Sequence, residues 1–190
     1  MDTQLETQRL VLRVPSLDDL DRWAEMSGNP DAARFIGGEQ PRPIVWRQIL
    51  QMIGAWHVTG ISMFSVIEKE SGQWIGRIGP WQPLEWPGTE VGWGLHPDAW
   101  GKGYALEAAT ASMDYAVDTL GWTEIIHCIN PANAPSQAVA RRLGSRVLRQ
   151  ARLPAPLQHE FVDVWGQTRD EWSVNRAAVL ASRRLEARGT

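Results

Sequence analysis

The chain has 190 residues with 43% apolar and 22% charged composition, enough for one domain with a single sizeable core. Nineteen basic against twenty-two acidic residues leave a net charge of −3, which excludes the basic surface of a nucleic-acid or anionic-membrane binder. One cysteine, Cys128, excludes an internal disulfide; no signal peptide and no run of about eighteen apolar residues is found, so a cytoplasmic protein is expected.

Arg9 to Val14 (RLVLRV) alternates polar and apolar residues, as a half-buried strand does. Ser16 with Asp19 has the spacing of a capping box, opening a helix through Met26 that Gly28-Asn29-Pro30 ends. A short helix is expected over Asp31 to Ile36. Ile44 to Val58 then carries Val45, Ile49, Met52, Ile53 and Trp56 at spacings of three and four, an amphipathic helix. Ser62 to Glu68 and Trp74 to Ile78 read as a hairpin around Gly72. A loop broken by Pro80, Pro83, Pro87 and Gly88 leads to a strand at Glu90 to Leu95, and a long helix is expected from Tyr104 to Leu120. A strand over Glu124 to Ile129, a helix from Asn133 to Leu143, strands over Ser145 to Leu153 and His159 to Gln167, and a helix opened by Thr168 and Glu171 complete the chain. Strand pairs in the first half and interleaved helices in the second predict a mixed α/β sheet with helices on both faces.

The most informative stretch is His96 to Ala109, HPDAWGKGYALEAA. A strand stops at His-Pro, crosses a loop at Gly101 and Gly103, and runs into a helix. The amides of Gly101, Lys102, Gly103, Tyr104 and Ala105 can converge there, with the positive end of a helix dipole behind them, a cradle for a diphosphate. A phosphate-binding P-loop is excluded, because Gly103 is followed by Tyr104 instead of Lys and Ser or Thr. A dinucleotide fingerprint is weak: Leu106 stands where its third glycine belongs, and the next strand ends in His127-Cys128-Ile129 without an acid. Coenzyme A is the third option.

Gly101-Lys102-Gly103-Tyr104-Ala105, between a strand and a helix, resembles the acyl-CoA loop of the GNAT superfamily of N-acyltransferases. Trp100 stands where that pattern usually has Gln or Arg, a departure shared with the branch resembling RimJ/RimL ribosomal-protein N-terminal acetyltransferases. The likeness extends to LETQRLVLR (Leu5 to Arg13), EVGWGL (Glu90 to Leu95), NAPSQAVARRLG (Asn133 to Gly144) and WGQTRDEW (Trp165 to Trp172), in order along nearly the whole chain. It implies a mostly antiparallel twisted sheet splayed at the cofactor strands, one GNAT domain over residues 1–172 and a C-terminal helical tail over 173–190. It also implies acetyl-CoA as co-substrate, bound along Trp93, Gly94 and Leu95, by Trp100 and the loop that follows it, and by Asn133 and Ser136.

Acetyl transfer to an amine requires a neutral acceptor, a stabilised oxyanion and a protonated leaving thiolate. An α-amine, with a reference pKa of about 8, needs less help than a lysine at about 10.4. A backbone amide of Trp93-Gly94-Leu95 is the expected oxyanion donor, and Gly92 and Gly94 fit either a close ligand approach or a simple strand irregularity. Ser136, three residues after Asn133 as in the family, is the expected donor to the thiolate; Asn133 also reads as a helix cap. Glu90 is the expected base, its pKa raised by Trp81, Trp86 and Trp93; a solvated or salt-bridged glutamate is the competing reading. Glu107 reads as structural. Of the eleven tryptophans, Trp46, Trp56, Trp81 and Trp86 are expected to wall the acceptor site. No metal-ligand spacing exists among the four histidines, and Cys128 lacks a basic cluster, so no metal and no covalent intermediate are expected.

The expected function is acetyl-CoA-dependent N-acetylation of a small-molecule amine or a protein N-terminus. A catalytically silent acyl-CoA sensor is the alternative, which a thiol-release assay separates from the enzyme. Neither nucleic acid nor membrane is an expected partner. An exposed indole cluster or the C-terminal helix could supply a homodimer contact.

Overall fold

The fold is that of a computed structural model, which describes residues 3–186. Its first strand, β1 (Gln4–Glu6), goes unread in the sequence because QLE carries one apolar residue and lies at an exposed edge. β2 (Leu10–Arg13) follows, and Leu10 and Leu12 are fully buried while Val11 and Arg13 are not, as the alternation predicts. Asp19 accepts the Ser16 N–H at 2.9 Å, and the turn it caps is a short 3-10 segment, Leu17–Asp19, that continues as α1 (Leu20–Gly28). Asn29 caps α2 (Pro30–Ala33) by accepting the N–H groups of Asp31 and Ala32. α3 (Arg42–Thr59) ends at Gly60, which takes the left-handed conformation.

β3 (Phe64–Glu68), β4 (Trp74–Trp81) and β5 (Glu90–Leu95) come next, then a 3-10 turn at Pro97–Ala99 and α4 (Tyr104–Asp118). β6 (Glu124–Ile129), α5 (Ala134–Arg142), β7 (Arg146–Arg152), β8 (Phe161–Thr168) and α6 (Arg169–Glu186) complete the described residues. Residues 187–190 of the expected tail lie outside them.

The strands form one sheet in the order β1-β2-β3-β4-β5-β6-β8-β7. Neighbours are antiparallel except β5 and β6, which run parallel and share a single ladder pair, Glu90↔Ile126. The sheet is therefore mixed, mostly antiparallel and splayed in the middle. α4 packs across β4 and β5 on one face, over a core that includes Phe64, Val66, Ile78, Val91, Leu106 and Met113. α1 and α3 cover the other face through Trp23, Met26, Val45, Ile49 and Met52, with Trp23 stacked on Trp74 at 5.2 Å. α6 returns to the first face, where it buries Trp172 and Val179 and ties Arg176 to Asp114 at 2.6 Å. Among the described residues, no helix is long and apolar enough to cross a membrane.

Candidate active site

The splay is what the strand register makes of β5. His96 donates its N–H to Ile75 on β4, and in an antiparallel ladder alternate residues face the same neighbour. The N–H groups of Glu90, Gly92 and Gly94 therefore turn to β4, and those of Val91, Trp93 and Leu95 turn toward β6. β6 has already diverged there, so the N–H groups of Trp93 and Leu95 open into the gap. Of the three amides expected as a possible donor, that of Gly94 faces β4; what Gly94 offers the gap is a bare floor, where an added Cβ would meet only Ile36 at 3.9 Å.

Side chains close the rest of the seam. Glu90 is buried, its Oε1 accepts the Cys128 N–H of β6 at 2.9 Å, and its Oε2 accepts the indole N–H of Trp86. Burial raises its pKa to about 7, against the opposing pull of those two hydrogen bonds and of Arg77. His127 spans the gap from the other strand: its Nδ1–H donates to the Val91 carbonyl at 2.7 Å and its Nε2 accepts from Ser145 Oγ at 3.1 Å. The carbonyl can only accept, which fixes this tautomer. Burial pushes the His127 pKa down to about 4, so the ring is neutral at pH 7. Ser145 Oγ in turn accepts from Gln167 Nε2 at 3.0 Å, and Gln167 Oε1 accepts from Asn175 Nδ2 on α6 at 2.9 Å.

Trp93 packs on His127 with ring centroids 4.8 Å apart, and its Nε1–H donates to Ser136 Oγ at 3.1 Å. Asn133 caps α5 by accepting the Ser136 N–H at 3.2 Å, so the cap also fixes where that hydroxyl sits. Glu90, Trp93, Asn133 and Ser136 border one cavity of about 610 Å³ between the sheet and α3. Trp81 and Trp86 border it too, edge to face at 6.3 Å.

The other two expected wall residues are not there. Trp56 is 1% exposed, packs on Phe64 at 4.8 Å, and donates its indole N–H to the Met63 carbonyl. It belongs to the core because it continues the apolar stripe of α3. Trp46 is exposed and faces away: Ile44 and Gln48 border the cavity, and Trp46 stands two residues from each, about 200° around the helix. Residues that sequence reading passed over do border it, including Met63, Arg77 and Gln51, and so does Cys128. Arg77 had a readable signal, as the lone charge within WIGRIGPW. Burial and the Glu90 carboxylate hold the Cys128 thiol well above its usual range, so it stays protonated.

At the far end of β5, Trp100 is half exposed and donates its Nε1–H to the Leu95 carbonyl at 2.9 Å. Gly101 and Gly103 have φ of 74° and 75°, and Gly103 sits at the N-cap of α4. The N–H groups of Gly101, Lys102, Gly103, Tyr104 and Ala105 make no hydrogen bond of normal geometry among the described residues. Arg9 holds the loop from behind: Nη1 donates to the Lys102 carbonyl at 2.9 Å, and the guanidinium lies over the Tyr104 ring at 4.4 Å. Glu107, fully buried, accepts from Arg9 N, Arg9 Nε and Thr7 Oγ1, which makes it a tie between the β1–β2 turn and α4. This loop does not border the cavity. The splay thus has an amide-lined turn on one side and a cavity with a buried carboxyl on the other. Among the described residues, no group of three or more His, Cys, Asp or Glu is placed to hold a metal.

Comparison with known proteins gives this arrangement its family. Residues 9–146 match the acetyltransferase (GNAT) domain. The chain is 34% identical over 143 residues to the N-acetyltransferase YnaD of Bacillus subtilis, covering 75% of this chain and 82% of that protein. It is 31% identical over 135 residues to the N-acetyltransferase p20 of Bacillus licheniformis, covering 70% and 76%. Both relatives are themselves described as uncharacterized. The crystal structure of an acetyltransferase from Agrobacterium tumefaciens superposes with a TM-score of 0.78 at 29% identity, covering 89% of this chain and 96% of that one. The chain therefore belongs to the GNAT family and is an N-acetyltransferase.

Proposed function

We propose that the chain moves an acetyl group from acetyl-CoA to a primary amine by direct attack in a ternary complex. The observation that carries this reading is Glu90: a buried carboxyl with a pKa of about 7, bordering the acceptor cavity, beside a strand whose outward amides are unpaired. Acetyl-CoA supplies the thioester. The residues of the turn fit its diphosphate, because the unpaired N–H groups of residues 101–105 stand at the positive end of α4 and need an acceptor.

Glu90 takes the proton of the attacking amine. Each of its oxygens accepts one hydrogen bond and keeps a lone pair for another. The outward N–H groups of Trp93 and Leu95 stabilise the negative charge that develops on the carbonyl oxygen. As the C–S bond breaks, Ser136 Oγ–H donates to the departing sulfur; its oxygen already accepts from Trp93, which leaves its own proton free for that task. Trp81 and Trp86 exclude water from the amine. The thiol of Cys128 stays protonated, so no acetyl-cysteine intermediate is needed.

We place catalysis in a single domain, residues 1–172, braced by the remainder of α6 beyond it, and assign the chain to the RimJ/RimL-like branch and to the cytoplasm. A protein with 19% identity and a TM-score of 0.70, the ribosomal-protein-S5-alanine acetyltransferase of Vibrio fischeri, shares the fold. The test is thiol release by wild type and Glu90→Gln across pH. In wild type kcat/KM rises with pH through an apparent pKa of about 7 that stays in place when acceptors of different basicity are compared. Glu90→Gln loses that limb and about 100-fold in kcat. An unaltered profile in the variant removes Glu90 as the base, and binding of acetyl-CoA without thiol release from any amine leaves a sensor instead of an enzyme.

A further inference from the structure

The acceptor cavity contains a charge that the chemistry above does not use. β4 reads WIGRIGPW and lies between β3 and β5, well inside the sheet, yet it carries Arg77. The ladder pairs Arg77↔Gly94 and Trp81↔Glu90 place Arg77, Trp81 and Glu90 on the same face. Between them on β5 stand only Gly92 and Gly94, so no strand side chain divides the guanidinium from the carboxyl.

A guanidinium carries five N–H donors. Among the described residues, the acceptor that Arg77 finds is the thioether of Met63, 2.8 Å from Nη1, and thioethers accept weakly. Among the described residues no carboxylate lies within ion-pair distance of it, and its other partner is the Trp23 ring, whose centroid is 6.0 Å from Cζ. The other half-buried arginines are treated differently: Arg13 grips Asp19 with both terminal nitrogens, and Arg22 pairs with Glu25 at 2.8 Å and with Asp98 at 3.2 Å. Burial lowers the Arg77 pKa to about 10, with the more distant Glu90 opposing. Arg77 is half-buried at the cavity wall, and a guanidinium partly withdrawn from water without an anion is left short of partners until something arrives to pair with it. The space is available, because Arg77 borders the cavity and Met63, which covers part of it, is a flexible side chain.

We propose that the acetyl acceptor is a small amine bearing a carboxylate, with the carboxylate held by Arg77 in place of the Met63 sulfur and the amine presented to Glu90. Arg77 is then the residue that sets acceptor specificity. The inference rests on the acceptor cavity and base assigned above. It names the class of acceptor, an aminocarboxylate in preference to a protein N-terminus, whose chain continues as neutral peptide. Four ladder steps separate the two positions, an offset of about 13 Å along the strands before the side chains extend. The distance between amine and carboxylate is therefore the variable to scan.

The full chain is assayed with acetyl-CoA and matched pairs: β-alanine, γ-aminobutyrate and a set of α-amino acids, each beside its own carboxamide. The expected result is a preference for the acids of about 100-fold in kcat/KM, the size expected when a buried charge loses its partner. In Arg77→Met the ratio within each pair falls to near one, and Arg77→Lys restores part of it. Because the readout is a ratio within one preparation, a partly unfolded variant does not distort it. Tryptophan emission provides a second readout without turnover, since Trp81 and Trp86 border the cavity. Acid-selective quenching that Arg77→Met abolishes sustains the inference even if no thiol is released, the case in which the enzymatic reading fails alone. Equal responses to acids and carboxamides in both readouts, including no response to any acid, overturn it, as does a preference that survives in Arg77→Met. Thiol release with amides or peptides then leaves the acetyltransferase reading standing.

Discussion

Glu90 and His127 sit across one seam with opposite electrostatic fates, and each has a consequence for stability. Burial raises the Glu90 pKa from 4.5 to about 7, so the folded chain binds its proton more tightly than the unfolded chain does. Its contribution to stability is full below about pH 4.5 and is lost as the pH rises to about 7. His127 is shifted down from 6.5 to about 4, so its contribution is full above about pH 6.5 and is lost as the pH falls. Each shift corresponds to roughly 3 kcal/mol, and over the shared window the two slopes oppose. Urea denaturation of Glu90→Gln is therefore expected to show stability climbing between pH 4.5 and 6.5 more steeply than in wild type. His127→Gln is expected to reverse that slope. Parallel slopes in all three proteins would mean that the two groups do not titrate as their burial dictates.

At the scale of elements, the turn between β5 and α4 depends on backbone that L side chains resist. Gly103 holds φ at 75° and an added Cβ would meet Arg9 Nη2 at 3.6 Å, an ordinary contact, so the cost of Gly103→Ala lies in the dihedral. About 1 kcal/mol of stability is expected to be lost, together with acetyl-CoA affinity, because the amides of residues 101–105 no longer converge. Gly28→Ala, in a helix with nothing within 4 Å of the new carbon, is the control and is expected to lose neither. Calorimetric titration with acetyl-CoA and denaturation midpoints measure both effects. Elements like this one were legible because their signals are local. Glu90–Leu95 and Glu124–Ile129 have the bounds that their composition and flanking turns predict, and Tyr104 opens α4 where the glycines stop. β1 was not, since an exposed three-residue edge strand is held by pairing alone. Of the four tryptophans expected as a wall, two border the cavity. Trp81 ends β4, and Trp86 stands in the proline-broken loop after it. Trp56 has the phase of the core stripe in α3, and an indole at that phase goes inside. Arg77 becomes meaningful only once β4 is known to have a neighbour on each side, which is a tertiary fact.

For the whole molecule, the single ladder pair between β5 and β6 divides the sheet into β1–β5 and β6–β8, and side chains join the halves across the gap. One line of contacts runs from Asn175 on α6 through Gln167, Ser145 and His127 to the Val91 carbonyl. Another runs from Cys128 N–H to the carboxyl of Glu90. On the proposed mechanism, the groups that hold the two halves together are also the ones that must admit substrates.

The lone thiol, Cys128, lies on that seam. Alkylating reagents attack the thiolate, and the folded environment of Cys128 suppresses it. Iodoacetamide at neutral pH is expected to spare the native protein and mark chains that have opened, one adduct per chain. A mass spectrum of briefly treated crude lysate would then count the unfolded fraction directly, and rapid labelling under strongly native conditions would instead expose breathing between the two half-sheets.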